Sequence, residues 1–211
     1  DGCPDTYGWA ADLKSVNAGN LAKLICPTNE VRGTEKLNDL LGQNTSTPPY
    51  TGSMPADRVG KGSLCNDATN GLIALTANSA ARAARIARAI EEDGVNSNYS
   101  GSWFLSRGGV LVRNSAAGND VEINDTNGLK EFTTTRGPLT IRQIDSGNVP
   151  ASNIPLMGDT APGDINEAVL TTTISGELVA GARLGEAAND GPAYVKSTGK
   201  VALLKNTYPT V

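Results

Sequence analysis

The chain is 211 residues long, enough for one domain or two small ones with a real hydrophobic core. Aromatics are only 4% and charged residues 19%, the balance of a turn-rich secreted or surface protein and not of a disordered one. A net charge of −4 argues against a nucleic-acid partner, and the absence of histidine removes Ser-His-Asp and Cys-His catalysis and His-ligated zinc.

In chain order, the sequence opens on Asp1 with neither an initiator methionine nor an apolar leader, which predicts a processed or truncated product. Cys3-Pro4 and Cys26-Pro27 bracket the first segment, and Cys65 follows after a proline-bearing stretch. Three cysteines in such a chain point outside the cytoplasm, where disulfides persist. They allow one intramolecular bridge. Cys3–Cys26 would close a short loop worth roughly 3 kcal/mol by the chain-entropy argument. Cys26–Cys65 is the rival pairing. The odd thiol is then buried, bridged to another chain, or bonded to a cysteine lost in processing.

Two short helices are expected over 17–25, ending at Pro27, and after Thr34, with Glu35 in the first turn and Leu37, Leu40 and Leu41 on the apolar face. Residues 43–62 read as a surface loop. The clearest helix is 80–93, with Ser79 as N-cap and Gly94 as stop. Ala83, Ile86, Ala87 and Ile90 give it a narrow apolar face, while Arg82, Arg85 and Arg88 read as a solvated one.

From Tyr99 the pattern shifts to period two. Strands are expected at 102–106, 110–113, 121–124, 129–134, 139–144, 154–157, 168–174 and 201–205, with Asn127-Gly128 as a hairpin turn. The result is an α+β fold: N-terminal short helices and one longer helix packed on a largely antiparallel β-sheet. Residues 1–211 are expected to form a single domain, helix- and loop-rich over 1–95 and strand-rich over 96–211.

Little of the chain carries chemistry. Asp159, Asp164 and Glu167 lie in the densest acidic loop and are candidate calcium ligands, although the spacing is not that of an EF-hand and turn capping explains the same residues. A second cluster, Asn119-Asp120 and Asn124 to Gly128, is explained by hairpin turns. Gly60-Lys61-Gly62-Ser63 lacks the upstream glycine of a phosphate loop, and no Cys-x-x-Cys is present. No acid pair is singled out for glycoside hydrolysis. Asn44-Thr-Ser46, Asn98-Tyr-Ser100 and Asn124-Asp-Thr126 fit the N-glycosylation pattern, coincidences in so Asn- and Thr-rich a chain. No apolar run approaches the roughly 18 residues of a membrane span.

Several ordered blocks carry a resemblance. They are Asp1 to Leu13, Leu24-Ile-Cys-Pro-Thr-Asn-Glu30, Glu35 to Gly42, Asn96 to Arg107, Arg136-Gly-Pro-Leu-Thr140, Met157 to Ala168 and Asn189-Asp-Gly-Pro-Ala-Tyr194. In this order they resemble the globular part of type IV pilin-like (pseudopilin-like) surface proteins of planctomycete bacteria. Members begin with a prepilin cleavage site and a long apolar helix, and many end in a tail where a histidine precedes an Asp-Gly pair. Neither feature occurs here. The resemblance implies a pilin-like globular domain and supplies no catalytic residues. The expectation is a non-enzymatic structural subunit at the bacterial cell surface, self-associating into a homopolymer. It would bind no nucleic acid and need no cofactor, calcium excepted. The alternative is a secreted carbohydrate- or surface-binding module stabilised by calcium.

Overall fold

The structure is a computed structural model, and it describes residues 3–6, 8–18, 24–42, 62–114, 121–123, 135–187, 192–195 and 200–203. The expected hairpin turn at Asn127-Gly128, the strand at 129–134 and the loop at 43–61 lie outside those residues. The fold is mixed α+β. Its elements are α1 (Trp9–Ser15), α2 (Lys36–Gly42), α3 (Ser63–Asn66), α4 (Ala80–Asp93), β1 (Tyr99–Gly101), α5 (Trp103–Arg107), β2 (Val112–Asn114), β3 (Val121–Ile123), α6 (Ile141–Asp145), β4 (Met157–Asp159), β5 (Pro192–Val195) and β6 (Lys200–Leu203), with 3₁₀ turns at Leu72–Ala74 and Ala151–Asn153. Among the described residues the strands form two-stranded ribbons, β1 with β4, β2 with β3 and β5 with β6, the last two antiparallel. A single larger sheet is not present there.

The described residues cluster into two compact units. Unit 1 comprises 1–51, 55–100 and 158–187; unit 2 comprises 52–54, 101–157 and 188–211.

Unit 1 holds the main core. α4 forms where the sequence places it. Ser79 Oγ accepts from the Arg82 amide as N-cap, and Gly94 closes the helix at φ 61, a left-handed conformation that glycine adopts without strain. Ala83, Ile86 and Ala89 face inward, and α4 packs against Leu37, Leu40 and Leu41 of α2.

The same inward stripe contains Arg82, only 3% exposed, which corrects its expected place on a solvated face. Its Nε donates to the Leu40 carbonyl at 2.6 Å and its Nη1 to the Leu75 carbonyl at 3.3 Å. Both acceptors sit where a helical turn runs out, so the guanidinium satisfies carbonyls that helix ends leave without partners. Burial pushes the Arg82 pKa down, in a group that stays charged regardless. Arg85 reaches the Asn70 carbonyl, and Arg88 is exposed as expected.

Segment 168–184 supplies Ala168, Leu170, Ile174, Leu178 and Leu184 to this core, but not as the expected strand. Leu170 donates to the Ala182 carbonyl and accepts the Gly181 amide, beside a bridge between Val169 and Arg183. The outer edge is closed by a side chain. Asn38 of α2 donates to the Glu167 and Val169 carbonyls and accepts from the Thr171 amide. An amide that satisfies the edge groups leaves them nothing to offer another strand.

The expected helix at 17–25 is not formed over its described residues: Asn17 turns at φ 54, and the helix in this region is α1. In unit 2 two expected strands are helices. Ser102 caps α5 through the Leu105 amide, and Gly108 ends it. Thr140 and Gln143 form a reciprocal capping box that starts α6 where a strand was expected at 139–144. Expected strands at 110–113, 121–124 and 201–205 correspond to β2, β3 and β6, each shifted or shortened. Expected strand 154–157 overlaps β4 only at Met157. Among the described residues, no helix is long and apolar enough to cross a membrane.

Candidate functional site

The disulfide joins Cys3 to Cys65, with Cα atoms 6.2 Å apart, and Cys26 is free. Neither Cys3–Cys26 nor Cys26–Cys65 forms. Local chemistry explains the choice. Asp5, two residues after Cys3, accepts the Leu64 amide through Oδ2 at 2.9 Å and so caps α3, the short helix that carries Cys65. Gly62, at φ 93, lies so close that a β-carbon there would come within 2.5 Å of Asp5 Oδ1. The capping bond therefore seats Cys65 beside Cys3. Among the described residues, Cys3, Asp5 and Cys65 are the only set with three metal-ligating atoms together, and two of its sulfurs are consumed by the disulfide.

Cys26 is held elsewhere by a row of three polar residues that follows α4. Asn96 Nδ2 donates to the Arg32 carbonyl and Ser97 Oγ to the Leu24 carbonyl. Asn98, 0% exposed, accepts the Cys26 amide at Oδ1 (2.8 Å) and donates Nδ2 to the carbonyls of Cys26 (3.0 Å) and Val31 (2.9 Å). Backbone groups of Leu24, Cys26, Val31 and Arg32 are thus met by side chains. Asn98 has no exposed nitrogen to modify, so the sequon at 98–100 is structural; those at Asn44 and Asn124 lie outside the described residues.

The Cys26 thiol, half-buried, donates to Asp159 Oδ2 at 3.2 Å and lies 3.2 Å from Thr28 Oγ1. Tyr99 joins this cluster: burial raises its pKa first, followed by the nearby charges of Cys26 and Asp159 and a hydrogen bond with Cys26. The group brings together a thiol, a carboxylate, a hydroxyl and a phenol.

The three acidic calcium candidates are not brought together. Asp159 serves Cys26. Asp164 Oδ1 accepts the Asn166 amide, and its carbonyl accepts the Ala168 amide, so it organises a turn. Glu167 is exposed, and its carbonyl is taken by Asn38.

A different acid pair, 151 positions apart and joined by no local signal, is built into unit 1. Glu35, 6% exposed, is hydrogen-bonded to the carboxyl of Glu186. Burial is the main cause that pushes Glu35 up to about 7 from an ordinary 4.5; the Lys36 ammonium opposes the rise, and the charge and hydrogen bond of Glu186 add to it. Glycoside hydrolysis needs two carboxyls about 5 to 10 Å apart with substrate or water between them. A directly bonded pair leaves no such gap between its carboxyls.

No family model, curated protein or solved structure matches this chain.

Proposed function

We propose that this chain is a non-enzymatic structural subunit that associates with copies of itself into a filament or appendage outside the cell, with a pilin-like globular domain as its fold. The observation that carries the reading is the apolar display of unit 2. Phe104, Ile141, Val149, Leu156 and Met157 are all exposed there, Ile141 to 77%. Backbone bonds bring three of the contributing segments together, Ser102 to Leu156 and Leu139 to Leu105. Exposed apolar side chains gathered on neighbouring segments are what an association site requires.

Unit 1 displays different apolar side chains, chiefly Val16 at 69% and Ile165 at 70%. Head-to-tail contacts between unlike surfaces of two copies propagate into filaments when the rotation does not close. The Cys3–Cys65 disulfide fits an oxidising exterior, and the ordered sequence blocks point to the pilin-like family. In this reading Asp164 organises a turn and Asp159 accepts from the Cys26 thiol.

Electron microscopy and light scattering of native surface material test the reading. Polymer is expected, and Ile141→Asp is expected to reduce the polymerised fraction at least about tenfold while the melting temperature stays unchanged, as for a hot-spot side chain lost from an interface. A native protein that remains a monodisperse monomer at every concentration would remove the proposal.

A further inference from the structure

Three segments of unit 1 meet at Gly185. Its amide donates to the Gly33 carbonyl at 2.8 Å, and its carbonyl accepts the Glu35 amide at 2.9 Å. It bridges Thr34 in parallel and Pro162 in antiparallel sense, while Gly163 donates to the Leu184 carbonyl. Thr160 Oγ1 adds a bond to the Glu186 carbonyl at 2.8 Å. The two carboxyls lie in the middle of this lacing. Glu186 Oε1 accepts the Asp164 amide at 3.0 Å, and Glu35 Oε1 faces the Ala187 amide at 3.5 Å. Packing is close: a β-carbon on Gly163 would come within 2.6 Å of Glu186 Oε1.

We propose that Glu35 and Glu186 form a proton-held clasp, in which one shared proton keeps segments 33–35, 160–164 and 184–187 laced together and its loss loosens that junction. A directly hydrogen-bonded carboxyl pair needs a proton between its oxygens, because two carboxylates at that distance repel and have only acceptors to offer each other.

The surrounding charges do not replace that proton. On the α2 side, Lys36 is bound to Asp39 at 3.0 Å. On the 160–168 loop, Asp164 and Glu167 add negative charge, although Asp164 Oδ1 is engaged by the Asn166 amide. On the returning segment, Arg183 directs its Nη2 to the Gly163 carbonyl. Arg32, just before the junction, points to the Cys26 and Pro27 carbonyls. The backbone amides of Asp164 and Ala187 are the donors aimed at the pair itself.

The sign follows from Glu35 being raised from 4.5 to about 7. The folded state holds the proton more tightly than the unfolded chain, so the clasp's contribution is complete below about 4.5 and is lost as pH rises through about 7. The subunit is therefore locked in mildly acidic surroundings and loosened above neutrality.

Thermal melts from about pH 5 to about pH 8.5 compare the wild type with Glu35→Gln, whose amide donates to Glu186 without titrating. The wild type is expected to lose roughly 5 °C or more relative to the variant across neutrality. Parallel profiles would overturn the clasp. A second readout needs no variant: carbon NMR of the Glu35 carboxyl in the wild-type chain is expected to titrate near 7, and a midpoint near 4.5 would overturn the proposal even if the variant failed to fold.

Discussion

Cys3→Ser combined with Cys65→Ser is expected to lower the unfolding free energy by about 4 kcal/mol. The two cysteines are 62 residues apart, so the bridge removes the freedom of a long loop from the unfolded chain. Both are buried in the main core, so serine also places two hydroxyls among apolar neighbours. Urea titration measures the change, with Cys26→Ser as a comparison expected to fall within about 1 kcal/mol of wild type because that thiol is only half-buried and closes no loop. A double variant as stable as wild type would show that Asp5 capping alone holds the two segments together.

Asn98→Ala should cost about 3 to 5 kcal/mol, since it leaves the Cys26 amide and the Cys26 and Val31 carbonyls without their described side-chain partner. Asn98→Asp is expected to be no better: it keeps the acceptor for the Cys26 amide but turns an oxygen toward two carbonyl oxygens. The same variants should quicken modification of Cys26 by a thiol reagent, because Asn98 anchors the backbone on which that thiol sits. Unchanged stability with unchanged thiol reactivity would mean that Ser97 and Asn96 suffice to hold segment 24–32.

What could be read from the sequence follows the range of the forces involved. α4 and the Leu37, Leu40, Leu41 face of α2 were legible because caps and helical periodicity are local signals. The capping box of α6 was equally local, written in Thr140 and Gln143, but β-prone isoleucines at 141 and 144 outweighed it. Trp103-Phe104-Leu105 misled in the same way, although Ser102 and Gly108 mark a helix at both ends. The burial of Arg82 had a trace too, since it lies four residues before Ile86 and seven before Ala89 on one stripe.

Three features left no local trace. Cys3 finds Cys65 through a cap that joins residues 59 apart, Asp5 and Leu64. Glu35 reads as an ordinary first-turn acid until Glu186 is placed against it. Segment 168–174 has strand composition, yet an asparagine from α2 occupies the edge where pairing would continue.

The Cys3–Cys65 bond also makes a closed covalent ring of everything between those residues, Cys26 and α2 included. A protease can sever one peptide bond anywhere in that ring without dividing the molecule. The two ends stay tethered through sulfur and through the core around Leu37 and Leu64, and only reduction lets the fragments part. Damage there would accumulate unseen, in a chain that stays in one piece.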